Sequence, residues 1–319
     1  FGCRVQTVEK IRQRLVERGF RETLDANVSF PTAPSPVVEE PPMSFGPSTM
    51  TARTLPPLAP QQSAERLQRL QYVCHLLRRE RRPLCALNGI LTVLSFGLLQ
   101  GGRRDSEELE RAVKSDLTTV QRTLQLRCPV SALVAGLDRE QGFRELVRRV
   151  GRERAAVQRF GKGYDVRAVA TVPEMMNLSA HVCGAFEDWI YTLFREQGAL
   201  ARPGNTQLYS LLCKVRLYLK YRLSEVLGAG FGYDPAQQPG DQPIMFSGCY
   251  FASTGETEDR QAFVKGVFDK LVDEQEYVEW THRALKSDRR YRWAAYTGIA
   301  ASVSLFLGLI GMMAMRAWG

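Results

Sequence analysis

Few residues in this chain have the type and setting for chemistry. Asp138 closes the apolar run "CPVSALVAGLD", and an amphipathic stretch follows directly. Ligands of open α/β sheets gather at the carboxyl ends of the strands, so an aspartate at that point is where a base-reading carboxylate would stand. A guanine-reading loop has the form [NT]KxD, in which the aspartate accepts two base N–H donors and the lysine packs over the ring. Here Ala135, Gly136 and Leu137 precede Asp138, so the carboxylate is present without its two helpers. Aspartate also caps helices by accepting a first-turn N–H, and that role suits Asp138 better.

Two glycine-rich strings imitate phosphate loops. "GAGFG", Gly228 to Gly232, follows a helical pattern and opens into a proline-rich loop. A dinucleotide loop would follow a strand and open a helix, so this one reads as a helix end. "FGKGYD" offers Gly161, Lys162 and Gly163, but Tyr164 stands where a phosphate loop needs its hydroxyl, and a turn is expected. The histidines, His75, His181 and His282, form no HxxxH or HExxH, so no metal site is expected. The seven cysteines are scattered and never CxxC, which suits reduced thiols within apolar segments. No GxSxG occurs, and acidic pairs such as Glu107–Glu108 sit in polar surroundings. No cofactor is expected.

The net charge of +9 suits a nucleic acid, an anionic membrane or an acidic partner equally. The basic segments Arg78–Arg82 and Arg148–Arg154 lack interleaved aromatics, so nucleic acid is not expected as a partner.

The elements that must position these residues divide the chain five ways. Residues 1–26 carry a short amphipathic helix, and 27–62 form a proline-rich linker. Residues 63–170 alternate helix and strand. A helix over 66–82 precedes a strand buried on both faces, Leu84 to Leu99. Asp105 and Glu108 look like a capping box opening a helix with Leu109, Val113, Leu117, Val120 and Leu124 on one face. A second buried strand, Cys128 to Leu137, leads into a helix from Gln141 to about Phe160, with Phe143, Val147, Val150 and Val157 inward. Strand–helix–strand–helix implies a parallel sheet. Residues 171–292 are mostly helical, over 173–197, 206–227, 259–272 and 275–288, with one added strand, Ile244 to Thr254.

Residues 293–316 are a membrane span. Ala294 to Ala314 is 21 residues without a charge, about 30 Å of helix and enough to cross a bilayer core. Lys286, Arg289, Arg290 and Arg292 precede it and Arg316 alone follows, which places the N-terminal side in the cytoplasm. Trp293 and Trp318 stand at the two interfaces. Gly298 lies inside the span, and Ala300, Ser304 and Gly308 form a small-residue stripe on which another helix can pack.

Four blocks in order resemble the TssM/IcmF family, the large inner-membrane component of bacterial type VI secretion machines. "RRPLCALNGILTVLSFGLL" is similar to that family's "RRPINGV" strand. "CPVSALVAGLDREQGFREL" and "RERAAVQRFGKGYD" resemble the two segments that follow. "QPIMFSGCYFASTGETEDRQAFVKGVFDKLV" resembles its late strand block, and a basic stretch with a span comes where the family has its last one. The likeness covers roughly residues 64–314. It implies a degenerate P-loop-NTPase-like parallel sheet, a mostly helical subdomain and one C-terminal transmembrane helix. The phosphate loop and DTAGR-like segment of nucleotide-binding members are not found in the proline-rich region, so hydrolysis is not carried over. What the resemblance implies is a non-enzymatic scaffold at the bacterial inner membrane. Its partners would be a TssL-type membrane protein, a TssK-type baseplate component, the lipid bilayer and further copies of itself. Two other readings stay open: a membrane-tethered GTPase- or ATPase-like protein using Asp138, and a tail-anchored adaptor unrelated to secretion.

Overall fold

The computed structural model describes residues 60–81, 84–236, 242–255 and 261–318. The short helix expected within residues 1–26 and nearly all of the linker lie outside them. The last three linker residues are already helical, since α1 spans Pro60–Glu80.

At the centre is a four-stranded sheet of β1 (Ile90–Ser95), β3 (Pro129–Ala135), β5 (Met245–Phe251) and β4 (Phe160–Gly163), in the order β1-β3-β5-β4. The first three run parallel, as the alternation of elements implies, and β4 adds antiparallel at the edge. Every residue of β3 and β5 is buried, because helices cover both faces. β1 departs from expectation. It is six residues long, Val93 is exposed, and the chain turns into a short helix, α2 (Phe96–Leu99), that returns Phe96 and Leu99 to the core. As the outer strand of the sheet it has one covered side rather than two.

The helix expected from Gln141 to Phe160 is three elements. α4 (Gln141–Val150) stops at Gly151, whose φ of 89° and ψ of 145° exclude a side chain. α5 (Arg152–Val157) follows, leaving Val157 exposed rather than inward. Then "FGKG" becomes β4 rather than a turn. Gly161 allows this, because a Cβ there would lie 2.3 Å from the Cys249 carbonyl oxygen. α3 (Arg103–Leu124) begins earlier than expected. Its N-cap is Gly102, whose N–H donates to the Asp105 carboxylate at 3.0 Å, so Asp105 stands at the third helical position and not at the cap.

α6 (Val172–Arg195) starts where the sequence suggests, on a box of Thr171 and Glu174 with Pro173 in the first turn. The run 205–231, α7, is helical but not uniformly α. Asn205–Lys214 and Lys220–Glu225 are α-helical, whereas Val215–Leu219 and Val226–Phe231 are π-helical. The reason is in the sequence: Leu211, Val215, Leu219, Leu223, Leu227 and Phe231 are buried and recur every four residues. In a pure α-helix a four-residue repeat drifts about 40° per step. Two wider π turns cancel that drift and keep the stripe on the core.

Five phenylalanines close the centre. Phe143 of α4, Phe160 of β4, Phe186 of α6, Phe251 of β5 and Phe263 are each 1% exposed or less. Phe186 meets Phe251 at 4.5 Å and Phe160 at 4.6 Å, edge to face, and Phe160 meets Phe263 at 5.1 Å. Each such burial contributes on the order of 2–3 kcal/mol. The stretches before and after residue 170 thereby share one hydrophobic core. The body is mixed α/β and mostly helical, around a parallel sheet.

Two helices close the chain: α8 (Lys265–Asp273), later than the expected 259–272, and α9 (His282–Trp318). The helix expected over 275–288 is the first part of α9, which continues through the apolar segment without a break.

Candidate functional site: the carboxyl edge of the sheet and the root of the anchor

Two places collect the residues singled out by sequence. The first is the carboxyl edge of the parallel strands. β3 ends at Ala135, Gly136 turns left-handed with φ 89°, and Leu137–Arg139 form a single 3-10 turn. Asp138 lies in that turn, half-buried. The cap reading for it is corrected by the geometry: the N-cap of α4 is Glu140, and no side chain bonds that helix start. Both Glu140 carboxylate oxygens instead accept from the Lys214 ammonium of α7, at 2.8 and 3.0 Å.

At this edge the helix N-termini are the natural anion sites, since their free N–H groups and dipoles favour negative charge. The Asp105 carboxylate occupies the start of α3, after β1 and α2. At the start of α4, after β3, the Glu140 carboxylate turns to Lys214 instead. Gly161, Lys162 and Gly163 lie in β4. Gly228–Phe231 lie in the last π turn of α7 and Gly232 ends it, as the helix-end reading holds. Among the described residues no group of three His, Cys, Asp or Glu side chains is placed to hold a metal ion. One carboxylate near this layer is perturbed upward: burial, with Glu225 and Glu107 nearby, raises Glu110 above the ordinary range. It lies where α3 packs on α7, and Arg103 and Arg111 oppose the shift.

The second place is where the body joins α9. A two-residue ribbon pairs β2 (Leu126–Arg127) with β6 (Glu279–Trp280). Arg127 ties it, bonding Glu279 at 2.8 Å and the Pro243 carbonyl at 2.9 Å. Thr281 donates from both its backbone N–H and its hydroxyl to the Gln125 carbonyl, at 3.0 and 3.1 Å. The His282 N–H donates to the Gln242 side chain at 3.0 Å. The helix is therefore bolted to the body at its first residue. Nothing in the sequence pattern reveals this joint, because two-residue strands carry no periodicity.

Beyond the joint, α9 holds Lys286, Arg289, Arg290, Arg292, Trp293, Gly298, Ala300, Ser304, Gly308 and Trp318, all exposed. Among the described residues it is the helix long and apolar enough to cross a membrane. A core helix would be buried; this one is bare. The serine and threonine hydroxyls of its apolar segment are satisfied internally, Thr297 on Ala294, Ser302 on Gly298 and Ser304 on Ala300, each at 2.9 Å. Such i−3 and i−4 bonds are what a helix in lipid requires of its polar groups. Nothing approaches within 4 Å of where side chains would begin at Gly298 and Gly308.

No curated protein and no solved structure matches the chain. The model of the IcmF-related N-terminal domain matches residues 63–259, more than half of the sequence, and takes in the sheet, α3, α6 and α7. With that domain leading into an exposed apolar helix, the chain belongs to the IcmF-related family, to which TssM-type proteins also belong.

Proposed function

We propose that this protein is a non-enzymatic scaffold of a type VI secretion membrane complex. Its body lies on the cytoplasmic face of the bacterial inner membrane, held there by α9. It docks a TssL-type membrane partner and a TssK-type baseplate component, and copies of it associate in the assembled complex. The observation that carries this reading is the unbroken passage from an IcmF-related domain into a bare apolar helix. The basic cluster Lys286, Arg289, Arg290 and Arg292 directly before the span supports the orientation. The Asp105 carboxylate at the start of α3 supports a body that works without a bound nucleotide, since a phosphate there would meet like charge.

Affinity purification of the full chain from detergent-solubilised cells tests the reading. A TssL-type protein and a baseplate component are expected to co-purify in stable proportion. Recovery of the chain alone, at its native level and with its sheath genes expressed, overturns it.

A further inference from the structure

Between its joint with the body and its apolar segment, α9 runs on for about three turns in the open. This stretch carries Arg283, Lys286, Arg289, Arg290 and Arg292 against one acid, Asp288. At 100° per residue the five basic side chains fall on one half of the helix, an arc of about 180°. Ala284 and Ser287, the partly buried residues of this stretch, lie on the other half, which faces the protein. The basic half is thus turned outward. Arg292 is paired with Asp288 at 2.8 Å on an exposed surface, where such a pair is readily exchanged for another anion.

Height along the helix selects the partner. Trp293 marks the start of the apolar segment, so Arg289, Arg290 and Arg292 stand about 1.5–6 Å above it, and Lys286 and Arg283 about 10 and 15 Å. The polar headgroup layer is roughly 5–8 Å thick on each side of the hydrocarbon core. Three guanidinium groups therefore lie within the phosphate layer. The other two lie about one screening length from it or nearer, on long side chains that extend toward it. Tyr291, Trp293 and Tyr296 surround the same level with exposed aromatic rings, the side chains that settle at a membrane interface.

We infer that this half-collar is a binding surface for anionic phospholipid headgroups, centred on Arg289, Arg290 and Arg292. The inference rests on α9 spanning the membrane, and it adds a lipid selectivity that a plain anchor lacks. Arginine suits the task because its planar fork bonds phosphate oxygens in pairs.

The full chain with Trp318→Phe, reconstituted in vesicles, leaves Trp293 as the tryptophan within reach of lipid chains. Brominated phosphatidylglycerol and brominated phosphatidylcholine then compete as quenchers of its fluorescence. Phosphatidylglycerol is expected to bind beside Trp293 at least about fivefold more tightly, the factor one basic residue contributes at an anionic surface. The preference should shrink as salt is raised. Joint replacement of Arg289, Arg290 and Arg292 by glutamine should bring the ratio to about one, while Arg152→Gln with Arg154→Gln on α5 leaves it unchanged. Equal quenching by both lipids in the otherwise native chain overturns the collar and leaves the span standing. No quenching by either lipid removes the span and the collar together.

Discussion

Arg149 has only 2% of its side chain exposed, yet it carries a full charge. It bonds the Glu145 carboxylate at 2.6 Å, the Pro203 carbonyl at 3.0 Å and the Asn205 side chain at 2.8 Å, fastening α4 to the loop before α7. Removing Arg149 leaves Glu145 to Arg148 and strips the Pro203 carbonyl and Asn205 side chain of their charged donor, which costs about 1.5–3 kcal/mol. Arg149→Ala is expected to lose that much, and Arg149→Lys most of it, read from urea unfolding midpoints. Hydrogen bonds from Arg148, then from Arg149, hold the Glu145 carboxyl below its usual value of 4.5. Its stabilisation is therefore complete above about pH 4.5 and lost as pH falls through the lowered value. Unfolding midpoints followed from neutral to acid should show a decline that is shallower in Glu145→Gln. Neither this network nor the Glu140–Lys214 pair could be read from local spacing, since their partners stand 56 and 74 residues away in the chain. Asp138 stood out by type and position, but its neighbour Glu140 is the carboxylate that a distant lysine engages.

Elements were legible where a period was long and faces were simple. β3, α3 and α6 lie close to where apolar runs and apolar spacing put them. The stretch 141–160 was not, because one glycine conformation breaks an otherwise sound helical pattern. The four-residue repeat of α7 was in plain view in "LLCKVRLYLKYRLSEVLGAGF", but a period of four marks a π-widened helix only once the core face is known. Close packing between elements was also invisible. A Cβ on Gly142 of α4 would lie 2.4 Å from the Gln207 carbonyl oxygen and 2.6 Å from the Leu211 Cβ on α7. Gly142→Ala is expected to cost about 1–2 kcal/mol, overpacking outweighing the gain in helix propensity. Gly184 of α6 has nothing within 4 Å of that position. Gly184→Ala should therefore stabilise by about 0.5–1 kcal/mol. Thermal unfolding of the two variants side by side checks both signs.

At the scale of the whole molecule, a body with a shared core stands on a 37-residue helix. That helix is about 55 Å long, nearly twice the thickness of the hydrocarbon it would cross. The apolar half was unmistakable in the sequence; the continuity of the other half with it was not, because "HRALKSDRRYRW" reads as an ordinary surface helix. Full-length protein is expected to stay with the membrane pellet through high salt and alkaline carbonate and to leave it only with detergent. Release by carbonate would mean that α9 lies on the surface or packs against another protein. Because α9 has no hinge between Thr281 and the apolar segment, twisting or leaning its far end must swing the body through a matching arc. Mechanical work done on one side of the bilayer would thus arrive on the other as torque on the Gln125–Thr281 clamp.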